Sequence, residues 1–388
     1  MTTDRTGHGV GEVATRYFTY GSAADPFPLA AGGSLDEVIL AYETYGALDA
    51  DGSNAILLFH ALSGSQHAAG VNRDVPGVGG RWTGEMHVGW WDGLIGPGRA
   101  IDTDRWFVVC VNYLGGCYGS SGPPSVDPAT GRPYGPTFPA VGFCDMVDAD
   151  LRLLDHLGVG RLHATMGGST GGLMALSLAT RHPDRVGVVV PVAAGLGVTS
   201  LQVVHNFEQI TAITSDPAFA GGEYGAEPPA AGLALARMIG HKTFVSLSAM
   251  RTRAREEIVE GAVHGYRLRH PLESYMRHQG TKFVERFDAN SYLRIMEAWQ
   301  SVDLLTEAGD GDWDTLFGRC RGQQWVQFSI DSDVCFYPEE QAALAAALSA
   351  TGVPNRVIEV ASDKGHDAFL VETGRFADGV RSTLEGDW

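Results

Sequence analysis

Met166-Gly167-Gly168-Ser169-Thr170-Gly171-Gly172 follows an apolar run and opens a segment with helical spacing. It fits the pattern Gly-x-Ser-x-Gly, in which a serine sits on a strained turn between a strand and a helix. Small residues flank the serine because such a turn brings strand and helix backbones too close for ordinary side chains. The serine oxygen is then held at a helix N-terminus, where free backbone N–H groups can stabilise an oxyanion. The stretch predicts a nucleophilic serine at one edge of a sheet.

Working outward, residues 161–166 read as the strand entering the turn and 173–179 as the helix leaving it. Further runs with β character lie at 37–44, 55–59, 106–111, 325–330 and 356–360, with another at 186–192 interrupted late by Pro191. Apolar residues recur at helical spacing in 145–157, and 338–349 and 368–384 read as helices. Strands alternating with helices imply right-handed crossovers and a mostly parallel sheet, the α/β class. Residues 199–308 break this rhythm: they are helical in pattern and dense in charge around 251–257. So long an interval needs structure of its own. We read it as a helical cap over the carboxyl edge of the sheet, where open α/β sheets bind ligands. The expected organisation is a core formed by 1–198 and 309–388, with a cap or lid at 199–308.

The chain has 388 residues, 44% of them hydrophobic, enough for a substantial core. A formal net charge of −18 argues against nucleic acid or an anionic membrane as partner. Residues 1–20 are polar and lack the apolar centre of a signal peptide, and no apolar run is long enough to span a bilayer. Cys110, Cys117, Cys144, Cys320 and Cys335 are odd in number and never spaced C-x-x-C. Reduced, buried thiols in a cytoplasmic protein are expected.

A nucleophilic serine needs a base, and the base an orienting carboxylate. In the strand–turn–helix arrangement these follow in the chain, acid first and histidine last. Asp333 follows the 325–330 strand and His366 the 356–360 strand, which puts both on the edge that carries Ser169. Asp331 competes with Asp333, which is preferred; Asp363 and Asp367 are too near His366 in sequence to orient its ring easily. The segment His60-Ala61-Leu62-Ser63-Gly64 ends a strand and suits an oxyanion loop. The backbone N–H groups of Leu62 and Thr170 would be the two donors, and His60 would be a structural histidine. No H-E-x-x-H motif or zinc-type Cys/His spacing occurs, so no metal is expected. The loop Gly115-Gly116-Cys117-Tyr118-Gly119 lacks the ending of a phosphate loop and reads as a tight turn.

With these residues placed, the chain resembles the homoserine O-acetyltransferase family over nearly its whole length. The resemblance rests on Ala41-Tyr42-Glu43-Thr44-Tyr45-Gly46, Gly89-Trp90-Trp91, Leu114-Gly115-Gly116-Cys117 and Ser121-Gly122-Pro123. It extends to Gly131-Arg132-Pro133-Tyr134-Gly135, Ala236-Arg237-Met238-Ile239-Gly240-His241 and Glu285-Arg286-Phe287-Asp288-Ala289-Asn290-Ser291-Tyr292. It ends with Gly365-His366-Asp367-Ala368-Phe369-Leu370. The resemblance implies an α/β-hydrolase fold, a mostly parallel central sheet flanked by helices with an inserted helical cap.

It also implies a two-step reaction. Ser169 takes an acyl group from acetyl-CoA, a co-substrate rather than a bound cofactor, and His366 then deprotonates the hydroxyl of homoserine or a similar acceptor. Arg237 and Asp367 match family residues that hold the acceptor's carboxylate and ammonium. Their structural alternatives are a salt bridge within the cap and a helix N-cap. Small-molecule substrates, a homodimer and a place in methionine biosynthesis follow from the same resemblance.

Several positions depart from the family pattern. Met174 and Ser177 stand where it has polar Gln and Glu, Ile210 where it has Arg, and His278 where it has Tyr. Ser65 follows Ser63-Gly64 where the family has Asp or Asn. A pocket thinned of polar groups would let water act as acceptor. A short-chain esterase of the same family is therefore the alternative, and acetyl is not separable from succinyl as the donor group.

Overall fold

In a computed structural model of the chain, residues 9–256, 262–263 and 265–387 are described. Residues 1–8 and Glu257 thus lie outside the described part. Eight strands form the central sheet: β1 (Arg16–Tyr20), β2 (Val38–Tyr45), β3 (Ala55–Phe59), β4 (Phe107–Val111), β5 (Leu162–Gly168), β6 (Val186–Val192), β7 (Gln324–Ile330) and β8 (Asn355–Val360). Their order across the sheet is β1-β2-β4-β3-β5-β6-β7-β8. The pairings of β2 with β1 and with β4 are antiparallel; from β4 across to β8 every pairing is parallel.

The central strands are continuous apolar runs because helices and loops cover both faces. Every residue of β3 and β4 is buried. Side chains alternate between the faces, so Leu57 and Phe59 join one core while Ile56 and Leu58 join the other. The first core includes helices α1 (Phe143–His156) and α2 (Thr170–Arg181). Pro191 does not end β6: it stays in register opposite Gly167.

Between β6 and β7 lie helices α3 (Ser200–Thr214), α4 (Ala230–Phe244), α5 (Leu247–Glu256), α6 (Pro271–Arg286), α7 (Ala289–Gln300), α8 (Leu304–Ala308) and α9 (Trp313–Gly318). Helix α3 starts at a capping box: Gln202 N–H donates to Thr199 Oγ1 at 3.2 Å, and Thr199 N–H donates to Gln202 Oε1 at 3.1 Å. Helix α6 starts with Pro271 at its first position and a similar box between His270 and Glu273. Helix α4 packs between α3 and α6, and α7 returns against α3.

Helix α10 (Pro338–Ala350) follows β7 and joins the first core through Leu344 and Leu348. The continuous helix expected over 368–384 is two helices, α11 (Ala368–Val371) and α12 (Gly374–Glu385). The Phe369 carbonyl accepts from Trp91 Nε1 at 2.9 Å, which occupies a group that a continuing helix would need. All five cysteines are buried and unpaired. Among the described residues, no helix is long and apolar enough to cross a membrane.

Candidate active site

Ser169 stands between β5 and α2 with φ 60° and ψ −126°, a conformation that a residue with a side chain rarely adopts. The strain is enforced by close approach. A Cβ on Gly167 would lie 2.2 Å from the Gly171 carbonyl oxygen, and one on Gly171 would lie 2.3 Å from that of Phe59. Only glycine lets β5, α2 and the end of β3 meet there. The same contact brings the turn beside the 60–65 segment that leaves β3.

The parallel strands β3, β5, β7 and β8 all end on this edge, and each delivers a candidate residue just beyond its last position. His366 Nδ1 donates to Asp333 Oδ2 at 2.7 Å, and both residues are buried. Asp333 Oδ1 accepts from the N–H groups of Cys335 at 2.8 Å and Phe336 at 2.9 Å, which fixes the carboxylate. Asp331 is engaged elsewhere, with Oδ1 accepting from Ser362 N–H at 2.9 Å. The His366 ring stacks on Phe336 and meets Phe369 edge-on, each at 5.5 Å between centroids. Burial works against the imidazolium, but the charge and hydrogen bond of Asp333, with help from Asp367, raise the pKa of His366 above its ordinary value. Its Nε2 is buried and has no hydrogen-bond partner among the described residues. A histidine held at one nitrogen and open at the other can take a proton from a hydroxyl.

Ser169 and His366 share a cavity of about 320 Å³. Leu62 lines its wall; Thr170 does not, although it directly follows Ser169 and occupies the first position of α2. Its N–H therefore lacks an intrahelical acceptor. The imidazole of His60 is fully engaged: Nδ1 is 2.8 Å from the Ala61 carbonyl oxygen and Nε2 accepts from Tyr113 N–H at 3.3 Å. Burial pushes its pKa down to about 4, which suits a structural side chain.

Helices α4 and α6 roof the cavity with Arg237, Phe244, Gln279, Lys282, Phe283 and Arg286. The Arg237 guanidinium carbon lies 5.4 Å from the Phe244 ring centre and 5.1 Å from that of Phe283. Burial, followed by nearby Arg286, lowers its pKa, with Asp367 and Glu85 acting against that. Asp367 occupies the N-cap position of α11 but makes no capping hydrogen bond with its side chain. It lines the cavity, and burial raises its pKa despite Arg237 and His366 nearby. Arg237 and Asp367 thus line the same cavity as Ser169.

The sequence profile described as alpha/beta hydrolase fold matches residues 54–373. The homoserine O-acetyltransferase of Solidesulfovibrio magneticus is 40% identical over 383 residues, covering 98% of this chain and 94% of that one. The homoserine O-succinyltransferase of Halothiobacillus neapolitanus is 43% identical over 351 residues, covering 90% and 84%. The chain belongs to the homoserine O-acyltransferase family of α/β hydrolases.

Among solved structures, homoserine O-acetyltransferase from Bacillus anthracis superposes with a TM-score of 0.84 at 26% identity, covering 96% of this chain and 97% of that one. Esterase E22 gives the same TM-score and identity, with 96% and 100% covered. Overall shape within this family therefore does not separate transfer from hydrolysis, and the cavity wall has to.

The wall corrects one expectation. Met174 and Ser177 are buried inside α2, where Ser177 Oγ donates to Glu307 Oε2 at 3.2 Å. Ile210 packs against the core and His278 is exposed. None of these four lines the cavity, so they do not thin it; of the departures from the family pattern, only Ser65 reaches its wall. Sequence reasoning missed Glu85, Lys282 and Arg286, which enter the wall from a loop and from α6. Arg286 stands in one of the family strings, but a string does not tell which of its members faces the substrate.

Proposed function

We propose that this enzyme transfers an acetyl group from acetyl-CoA to the hydroxyl of homoserine or a close analogue through an acyl-serine intermediate. The observation that carries the reading is His366, bound to Asp333 at Nδ1, without a partner at Nε2 among the described residues and sharing one cavity with strained Ser169. The Ser169 hydroxyl gives its proton to Nε2 as its oxygen bonds the acyl carbon. The resulting oxyanion is stabilised by the N–H groups of Leu62 and Thr170. Collapse breaks the carbon–sulfur bond, and the coenzyme thiolate leaves with the proton from His366. The acceptor hydroxyl then enters and gives its proton to Nε2, and its oxygen attacks the acyl carbon. Ser169 departs and recovers the proton.

Arg237 holds the acceptor carboxylate and Asp367 its ammonium, which gives homoserine an advantage over water. The names of the relatives support the acceptor and leave both acetyl and succinyl donors in view. The helical segment between β6 and β7 acts as the cap that supplies Arg237. The second copy of a homodimer covers the outer face of α3, where Leu201, Val204 and Phe207 are exposed at three-residue spacing.

Initial-rate kinetics test the reading. With acetyl-CoA and homoserine varied together, double-reciprocal lines should be parallel, as a ping-pong reaction requires. Succinyl-CoA run alongside reads the donor preference. Rapid hydrolysis of p-nitrophenyl acetate with no response to homoserine or acyl-CoA would make the protein an esterase instead.

A further inference from the structure

The segment that carries Leu62 is a four-residue turn closed by Gly64 N–H donating to the Ala61 carbonyl at 2.8 Å. The turn is held at its start by the Tyr113 hydroxyl on the His60 carbonyl and at its end by Trp90 Nε1 on the Ser65 carbonyl at 3.0 Å, and a backbone donor between them is effective only while it points where the oxyanion forms. The Ser63 carbonyl accepts from Arg286 Nη1 at 2.9 Å, while Arg286 Nη2 lies 3.4 Å from Ser63 Oγ. Nη1 also donates to Tyr118 Oη at 3.0 Å, and Tyr118 Oη donates back to the Arg286 carbonyl at 2.8 Å. Nε lies 3.3 Å from Glu85 Oε1, and the Phe283 ring centre is 5.1 Å from the guanidinium carbon. All three nitrogens of one planar group are therefore engaged, and they join α6 to three separate loops.

Fully buried Tyr118 anchors the arrangement against Trp82 and Phe287. An ammonium could not reproduce it, since one nitrogen cannot meet groups spread around a fork. We propose that Arg286 is a positioning residue for the oxyanion turn: from the end of α6 it holds Ser63 and so aims the Leu62 N–H at the acyl group on Ser169. This inference rests on the reading of Ser169 as nucleophile and Leu62 as oxyanion donor.

The test uses p-nitrophenyl acetate, which has no carboxylate or phosphate for an arginine to grip. Wild-type enzyme should release a burst of p-nitrophenol as Ser169 is acetylated. In Arg286→Ala the burst rate constant should fall about 10- to 100-fold with little change in the concentration giving half-maximal rate, a part of the loss expected for removing an oxyanion donor. Guanidinium chloride at millimolar concentration should restore part of that rate. Arg286→Lys should remain slow although its charge is kept.

If Arg286→Ala does not fold, Tyr118→Phe carries the test: it removes one partner from a buried site of unchanged shape, and the burst should slow several-fold. Wild-type burst rates in these variants would overturn the inference. So would a loss confined to KM for acyl-CoA, which would make Arg286 a substrate-binding group. A wild type that forms no Ser169 adduct would remove the nucleophile reading first, and that outcome is distinct from a normal burst indifferent to Arg286.

Discussion

Asp333 and Asp331 differ by two positions and by everything that matters chemically. The first holds His366 and accepts two backbone N–H groups; the second accepts from Ser362 N–H. Asp333→Asn should therefore lower kcat by about 10⁴-fold, the cost of losing the histidine's orienting carboxylate. Asp331→Asn should cost less than about 10-fold in parallel assays. Because the folded enzyme raises the His366 pKa, the base is still protonated at the ordinary histidine midpoint. Acylation should thus increase with pH through a midpoint above 6.5, the unperturbed histidine value. A stopped-flow pH profile with p-nitrophenyl acetate checks this, and in Asp333→Asn the midpoint should move down. Ser169→Ala should abolish turnover while circular dichroism and Tm stay near those of the wild type. Ser169, Asp333 and His366 could be placed on one edge from the sequence because each follows a run with β character, in the order nucleophile, acid, histidine that the strand–turn–helix arrangement implies. Arg286 and Glu85 could not, because a charge on a helix or loop reads as solvated surface until the fold shows what it faces.

The turn at Ser169 is a tightly constrained junction between elements. A methyl group on Gly171 would meet the backbone oxygens of both Phe59 and His60, and backbone cannot move aside cheaply. Gly171→Ala should destabilise the protein by at least about 2 kcal/mol, read as a lower midpoint in urea. It should also slow acylation, because the end of β3 and the 60–65 segment must shift. The central strands could be read from sequence because burial on both faces makes them continuously apolar. Edge strand β1, largely exposed, was not among the runs read from the sequence, whereas the opposite edge strand β8 was read at 356–360 although it too is largely exposed. The division between α11 and α12 escaped: it depends on Trp91 reaching the Phe369 carbonyl across 278 positions of sequence, which no local pattern encodes.

The sheet presents Ser169, Asp333 and His366 on one edge, and helices from between β6 and β7 roof the cavity that Ser169 and His366 line. Arg237 reaches the cavity from this segment, and under the proposed function it is the group that holds the acceptor's carboxylate. Arg237→Gln should raise KM for homoserine about 10-fold or more with kcat less affected, since a carboxylate contact made throughout the reaction is lost. Exposed Phe207 on α3 marks where a second copy is proposed to sit. Light scattering should give the mass of two 41.4 kDa chains for the native protein and of one for Phe207→Glu.

The most direct test of the central claim follows a single acetyl group. Enzyme mixed with acetyl-CoA alone and quenched within milliseconds should carry one acetyl on the peptide containing Ser169. Added homoserine should discharge it as O-acetylhomoserine faster than water releases acetate. No adduct on Ser169, or loss of the acetyl to water at a rate indifferent to homoserine, would contradict the account.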